Sequence, residues 1–252
     1  MKKQAYTFLI ERHNLNRAAA IHCTSVSEAE DVRKFGITSP TITLPLGVNQ
    51  PISLLNAKQK LHHLYEIPTE IPVVLFLSRL HPKKRPDLLM RSLGQLATQN
   101  HNFHLILAGS GEPDYIDELK NLTASLGLTS QTSFAGFVTG ENKQLLLQGS
   151  DIFVLPSFSE NFGIAVAEAM VVGLPVIVTP GVQIAQDIAE AKAGLVVEGE
   201  VDALANAIAQ LLISSELRQQ LGENGKSLTN NQYSWNAIAQ NLASVYRDIL
   251  NK

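Results

Sequence analysis

The sequence is poor in cysteine and lacks long apolar runs. Cys23 is the single cysteine in 252 residues, so no disulfide can form within the chain. We expect Cys23 to be a small buried thiol and the protein to work in a reducing compartment, the cytoplasm. The first residues show no secretory signal, and no apolar run reaches membrane-spanning length. Membrane association is therefore expected only through parts outside this sequence.

Charge is scarce as well. Asp, Glu, Lys and Arg make up 17% of the residues, against roughly 25% in an average soluble domain. The net charge of −3 and the lack of a basic stripe with interleaved aromatic residues argue against nucleic acid as a partner. The sequence contains no Asp-x-Asp pair, and its histidines show no metal-ligand spacing. We therefore expect no metal site.

Short apolar segments alternate with segments of helical periodicity from residue 72 onward. Strands without polar positions are typical of a parallel sheet that is buried on both faces. The pattern therefore predicts an α/β fold, a Rossmann-like doubly wound parallel sheet with helices on both faces. A helix over residues 1–19, strands over 20–24 and 41–46, and a helix over 25–35 are predicted to precede it.

The predicted strands of the main sheet cover residues 73–77, 103–108, 132–134, 152–155, 175–178 and 194–197. The predicted helices that accompany them cover residues 54–63, 86–96, 115–126, 141–147, 164–172, 184–191, 201–212, 215–228 and 235–250.

Ligands of such sheets bind outside the carboxyl ends of the strands. In the loop after the first main strand, Arg79 and Lys84 stand at the two ends, where they would converge on a polyanion. Gly109 would allow close approach of a ligand, and residues 136–138 offer backbone groups and an apolar face to a flat base. The loops predicted at this edge are residues 78–85, 109–112, 136–138, 157–163 and 179–184.

Residues 157–173, SFSENFGIAVAEAMVVG, combine a loop with an almost wholly apolar helix. Where the helix begins, at Gly163, backbone amides and the helix dipole favour an anion. Glu168 is the single carboxylate of this helix, and a buried carboxylate without a partner is costly. Glu168 therefore lies on a wet edge of the helix, has an internal partner, or faces a cleft where a ligand supplies the partner. Glu160 is either an ordinary loop acid or a ligand-binding residue.

Five segments, taken together and in order, carry a family resemblance. They are SRLHPKKRPDLL (78–89), LILAGSGE (105–112), FAGFV (134–138), ENFGIAVAE (160–168) and AMVVGLPVIVT (169–179). With these segments the chain resembles the nucleotide-sugar-binding, C-terminal half of GT-B-fold retaining glycosyltransferases of family 4. The match runs from about residue 25 to the C-terminus.

The resemblance implies a role for each matching residue. Arg79 and Lys84 would hold the donor diphosphate and neutralise the leaving group, and Glu160 would contact the transferred sugar. These three are the catalytic residues that the family pattern implies. Glu168 would bind the ribose hydroxyls, and the backbone of Val138 would bind the base. The other implied donor-site residues are Ser78, Gly109, Asn161, Phe162, Gly163 and Ile164.

The resemblance also implies a reaction. A sugar would pass, with retention of configuration, from a nucleotide diphosphate sugar to a saccharide or lipid-linked acceptor, without a metal or other cofactor. We choose a UDP-sugar of the UDP-glucose type as the donor, with a GDP-sugar as the alternative. A nucleotide-sugar-binding module without catalysis is a second alternative. A dehydrogenase is disfavoured because residues 109–111 lack the third glycine of a dinucleotide fingerprint.

The chain departs from the family pattern in two ways. Ser78 and Arg85 replace two loop glycines, and Gln186 stands where an acid is usual. The chain is also short for the family. Residues 1–49 are interpreted as a remnant of the N-terminal acceptor domain with a linker, residues 50–232 as the donor-binding domain and residues 233–252 as a crossover helix. We expect the missing acceptor domain to leave this chain able to bind nucleotide but poor at sugar transfer.

Overall fold

The computed structural model describes residues 11–251. Its strands form two sheets, and every strand pairing is parallel. The strands of the small sheet are β1 (Ile21–Cys23) and β2 (Thr41–Thr43). Those of the main sheet are β3 (Val73–Leu77), β4 (His104–Ala108), β5 (Thr132–Gly136), β6 (Ile152–Leu155), β7 (Val176–Val178) and β8 (Gly194–Val196).

The main sheet has the strand order β5-β4-β3-β6-β7-β8. The chain begins at β3 in the middle, winds outward to β5, crosses back to β6 and then winds outward in the other direction. This is the doubly wound order of dinucleotide-binding folds, and its topological switch point lies between β3 and β6. The predicted fold is confirmed, and the loops after β3 and β6 open into the crevice where such sheets bind ligands.

The helices are α1 (Arg12–Leu15), α2 (Val26–Lys34), α3 (Ala57–Leu64), α4 (Pro86–Thr98), α5 (Pro113–Ser125), α6 (Gly140–Gly149), α7 (Ile164–Val171), α8 (Ala185–Glu190), α9 (Val201–Ile213), α10 (Ser215–Leu228) and α11 (Trp235–Leu250). One group packs α4 against α5 and α9, and another packs α6 against α3 and α7, with α10 on α7. Every residue of β3, β4 and β6 is buried, which explains why these strands are apolar apart from His104 at the start of β4.

The predicted main-sheet strands and their helices are confirmed, with ends that differ by up to three residues. The helix predicted over 54–63 begins later, at Ala57, because Asn56 has a left-handed backbone with φ 56°. The helix predicted over 1–19 lies largely outside the described residues, and α1 is its described helical part. A π-helical turn over Thr229–Tyr233 was not predicted.

The N-terminal unit, residues 11–46, contains α1, α2 and the small sheet. Ser25 caps α2 by accepting a hydrogen bond from the amide of Glu28 at 3.1 Å. The Glu28 carboxylate accepts hydrogen bonds from the amide and the hydroxyl of Thr24, at 2.6 and 2.8 Å. These bonds, led by the one from the Thr24 amide, lower the pKa of Glu28. Cys23 is fully buried, as expected, and burial raises the pKa of its thiol.

The segment that follows the N-terminal unit is held by the start of α11. The amide of Val48 donates to the carbonyl of Tyr233 at 2.8 Å. The Trp235 indole donates to the side chain of Asn49 at 2.9 Å and lies so close to Gly47 that a Cβ there would meet the ring. The last helix is therefore anchored at its first turn to the segment that leads into the main domain.

We predict that protonation of His104 destabilises the fold. Its Nε2 lies 2.8 Å from the Ser133 hydroxyl, and burial, aided by the nearby charge of His62, lowers its pKa from 6.5. Because the unfolded chain then binds the proton more tightly, stability is full above about pH 6.5 and falls as the pH drops. The slope is at most about 1.4 kcal/mol per pH unit. Urea unfolding between pH 7.5 and 5.5 measures it.

The control is His104→Gln, which keeps a polar group near Ser133 but cannot take up a proton. We expect a shallower loss of stability in this variant over the same pH range. Equal slopes for the wild type and the variant would contradict the prediction.

Candidate functional site

The carboxyl ends of the central strands surround a cavity of about 240 Å³. Its wall is built from four of the predicted loops, those after β3, β4, β5 and β6, together with the first turns of α6 and α7. The predicted site residues that line it are Ser78, Arg79, Gly109, Val138, Glu160, Gly163, Ile164 and Glu168. The structure therefore brings most of the sequence-predicted residues into one crevice at the switch point.

Gly109 allows the loops after β3 and β4 to come together. A Cβ at this position would collide with the carbonyl oxygen of Ser78. The amide of Ser78 donates to Ala108 at 3.1 Å, and the amide of Gly109 donates to Gly136 at 2.7 Å. The glycine was expected to let a ligand approach the backbone. The structure shows that it also serves loop packing, and because Gly109 lines the cavity, the approach of a ligand stays a prediction.

The two predicted cations differ in their environment. Arg79 is exposed at the cavity, and within residues 11–251 its guanidinium has no hydrogen-bond or ion-pair partner. Lys84 is only 6% exposed, at the end of a 3-10 turn over Pro82–Lys84, and its ammonium donates to the carboxylate of Glu160. Arg79 is thus available to an anion, whereas Lys84 reaches the cavity through Glu160.

The backbone of Glu160 is held by the neighbouring loop. Its amide donates to the carbonyl of Gly181 at 2.9 Å, and its carbonyl accepts from the amide of Gln183 at 3.2 Å. These contacts form an isolated parallel bridge between Glu160 and Val182. The loop after β7 therefore supports Glu160 through backbone groups. The side chain of Gln186 instead donates to Glu190 at 2.8 Å.

Helix α7 begins at the cavity. Gly163 has a left-handed backbone, φ 89°, and a Cβ there would lie 3.0 Å from a methyl group of Val182. The carbonyl of Gly163 accepts the amide of Val166 at 2.8 Å, so the amides at the very start of the helix have no partner within it. This end of the helix carries a partial positive charge toward the cavity.

Glu168 both faces the cleft and has an internal partner, two of the environments that the sequence left open for it. It lines the cavity, and its carboxylate accepts a hydrogen bond from Lys143 at 2.6 Å. Lys143 comes from α6, and sequence reasoning missed it because a lysine in a polar helix usually lies in solvent. Both side chains are about a quarter exposed, at 29% for Lys143 and 24% for Glu168.

Two predicted donor-site residues point elsewhere. The side chain of Asn161 bonds to Thr24 and Ser25 of the N-terminal unit. Phe162 is 3% exposed, and its ring meets the ring of Tyr233 edge-on at 5.3 Å. The Tyr233 hydroxyl donates to Asp187, and burial together with that carboxylate raises the pKa of Tyr233. Phe162 thus anchors the loop after β6 by packing its ring in the core against Tyr233. The ring is not part of the cavity wall.

No group of three or more His, Cys, Asp or Glu side chains within residues 11–251 is arranged to hold a metal ion. No helix in that part of the chain combines the length and apolar character required to cross a membrane.

Sequence comparison assigns the family. The profile described as "Glycosyl transferases group 1" matches residues 57–228, which is more than half of the chain. The chain belongs to this family. The matched region runs from α3 to the end of α10 and includes every residue that lines the cavity.

Relatives in the group 1 family support the assignment. An uncharacterised glycosyltransferase, MJ1607 of Methanocaldococcus jannaschii, is 32% identical over 69% of this chain and 44% of its own length. The GDP-mannose-dependent alpha-(1-6)-phosphatidylinositol monomannoside mannosyltransferase of Mycobacterium tuberculosis is 30% identical over 76% of this chain and 51% of its own length. The chain thus spans about half the length of the curated relatives it matches.

A solved structure supports the GT-B fold of this group 1 member. Anabaena Alr3699/HepE in complex with UDP and glucose superimposes with a TM-score of 0.84 at 23% identity. The match covers 95% of this chain and 66% of that one. At this level of identity the likeness establishes the fold alone.

We predict that Gly109→Ala destabilises this group 1 domain. The added Cβ would push the Ser78 carbonyl away and separate the loops after β3 and β4, at a cost of about 2 to 4 kcal/mol of unfolding free energy. Urea denaturation measures the change. The matched control is Ser110→Ala, at the exposed next position, for which we expect a change within about 0.5 kcal/mol. Similar small effects for both variants would contradict the packing argument.

Proposed function

We propose that this chain is the donor-binding part of a retaining glycosyltransferase. It would bind a nucleotide diphosphate sugar, from which the sugar passes to a saccharide or lipid-linked acceptor. The observation that carries the proposal is the shared crevice. Arg79, which has no partner among the described residues, the start of α7 and the sheltered carboxylate of Glu168 all line one cavity at the switch point. These are the groups that a nucleoside diphosphate requires.

The phosphate end of the donor would lie between Arg79 and the first turn of α7. A guanidinium binds two phosphate oxygens at once, and unpaired helix amides add further donors. When the bond to the sugar breaks, negative charge accumulates on the diphosphate. Fixed positive groups stabilise that charge more in the transition state than in the ground state. Arg79 and Lys84 would carry this part of catalysis.

The ribose would meet Glu168. One oxygen of this carboxylate, Oε1, accepts the hydrogen bond from Lys143, which leaves the other oxygen to accept from a ribose hydroxyl. Lys143 would hold the carboxylate in place. The exposed ring of Phe137 and the backbone of Val138 line the same cavity and would contact the base.

The transferred sugar would face Glu160. Its carboxylate is neutralised by Lys84 and its backbone is fixed by the loop after β7, so the group is preorganised at the edge of the cavity. A fixed carboxylate of this kind orients sugar hydroxyls.

We choose UDP as the nucleotide, and GDP is the alternative. The Anabaena structure with this fold holds UDP and glucose, whereas the mycobacterial relative is named as GDP-mannose-dependent. A binding module without catalysis is the second candidate function. It is favoured by one observation: every residue that lines the cavity lies within residues 77–168 of this chain, although the matched part of the chain spans only about half of each curated relative.

Calorimetric titration of the chain with UDP, GDP, ADP and their glucose conjugates tests the donor role. We expect UDP and UDP-glucose to bind most tightly, and tighter binding of the GDP pair would favour the alternative. Failure of all six nucleotides to bind would overturn the proposal.

Arg79→Ala is expected to weaken UDP binding about 10- to 100-fold, because a charge-assisted contact with phosphate contributes roughly 1.5 to 3 kcal/mol. Lys83→Ala is the matched control, because Lys83 is an exposed cation in the same loop that does not line the cavity. Titration with UDP at fixed ionic strength compares the two variants. Equal losses would mean that general surface charge, rather than Arg79, attracts the nucleotide.

The ribose contact gives a separate prediction. If Glu168 accepts a hydrogen bond from a ribose hydroxyl, the wild type should bind UDP about tenfold more tightly than 2′-deoxy-UDP. Glu168→Gln should lose most of this preference, while Lys143→Met, which keeps the carboxylate, should retain part of it. Preference for UDP that is unchanged in Glu168→Gln would remove Glu168 from the ribose site.

A further inference from the structure

We propose that Asn161 is a positioning residue, which fastens the loop that carries Glu160 to the N-terminal unit. Docking of this unit and binding of the donor sugar would then stabilise each other. The inference rests on the donor role proposed above, and it gives Asn161 a function other than the donor contact implied by the family pattern. It follows from a small hydrogen-bond network at the first turn of α2.

Both polar atoms of the Asn161 side-chain amide form hydrogen bonds with the N-terminal unit. Its Nδ2 donates to the Thr24 hydroxyl at 3.0 Å, and its Oδ1 accepts from the Ser25 hydroxyl at 2.9 Å. Only a carboxamide offers a donor and an acceptor side by side in this way. Aspartate would lose the donor, and alanine would lose both groups.

The opposite side of the contact is held in place by α2. The Thr24 hydroxyl donates to the Glu28 carboxylate at 2.8 Å while it accepts from Asn161. The Ser25 hydroxyl accepts from the Glu28 amide at 3.1 Å while it donates to Asn161. Each hydroxyl therefore donates one hydrogen bond and accepts another. Hydrogen bonds that are linked in this way strengthen one another.

These bonds lie at a sparse contact. Within residues 11–251, the hydrogen bonds that join the N-terminal unit to residues 50 and beyond all involve the side chain of Asn161. The other connection is the covalent one, through residues 47–49, which bond to Tyr233 and Trp235. The orientation of the N-terminal unit is therefore set at two places, and one of them is the residue next to Glu160.

The consequence for Glu160 follows from thermodynamic linkage. On its far side, Glu160 is held by the backbone of Gly181 and Gln183. On its other side, Glu160 is held through the next residue, Asn161, whose hydrogen bonds exist only while the N-terminal unit is docked. If docking orders Glu160, then a sugar that binds Glu160 must favour docking by the same factor. A nucleotide without a sugar does not reach Glu160 and should not sense the contact.

Hydrogen exchange of the full chain tests the contact without any ligand. Asn161→Ala and Thr24→Val should each speed amide exchange severalfold in both residues 24–28 and residues 157–163. The double variant should exchange no faster than either single one. Thr24→Ser, which keeps the hydroxyl, should match the wild type, as should Ser159→Ala in the same loop. Exchange that rises in one segment only, or additive effects in the double variant, would overturn the proposal.

Calorimetry then tests the link to the sugar. Asn161→Ala should weaken binding of UDP-glucose about fivefold and leave binding of UDP unchanged. Equal weakening of both ligands would overturn a positioning role through Glu160, because it would indicate general damage to the cavity. If the wild type binds neither ligand, the donor role fails. The exchange data then test the Asn161 contact by themselves: faster exchange in both segments supports the contact, and faster exchange in one segment only overturns it.

Discussion

The ion pair between Lys84 and Glu160 is the constraint on which the site depends. An ammonium group that is 6% exposed loses most of its hydration, and this loss costs several kcal/mol unless a carboxylate meets it. Lys84 follows β3 and Glu160 follows β6, so their pairing ties together the two strands that flank the switch point. The amide of Phe158 and the hydroxyl of Ser157 reinforce this junction by donating to the carbonyl of Lys83. The crevice between these loops can keep one shape because this pair holds the two loops together beside it.

The charges around the cavity match the ligand that we propose. Two carboxylates, Glu160 and Glu168, are each neutralised by a lysine, Lys84 and Lys143. Arg79 remains as the surplus cation, and the start of α7 adds about half a positive charge. A carboxylate that is paired with lysine does not repel a diphosphate strongly, yet it still accepts hydrogen bonds from hydroxyl groups. The site can therefore bind an anion and a polyol at adjacent positions.

The sequence predicts the main sheet well because its buried central strands are almost entirely apolar and because turn residues mark the ends of the strands. It also predicts which loops meet, since the carboxyl ends of parallel strands share one edge of the sheet. The sequence does not reveal which side chains bond to one another across the site. Lys143 meets Glu168 only through the packing of α6 beside α7, and Asn161 meets Thr24 across 137 residues of chain. Neither pairing has a local signal, because the chemistry of a surface amide or lysine is the same whether or not a partner is near.

The loop after β7 shows why a departure from the family pattern need not damage the site. Its side chains differ from the usual ones, but its contacts with the site use main-chain groups: the carbonyl of Gly181 and the amide of Gln183 hold Glu160. Val182 contributes packing, because its methyl group lies against the left-handed Gly163. Main-chain groups are present whatever the side chain, so substitution at Gln186 leaves this support intact. Substitution is not tolerated in the same way at Gly163, because any Cβ there would meet Val182 and strain the start of α7.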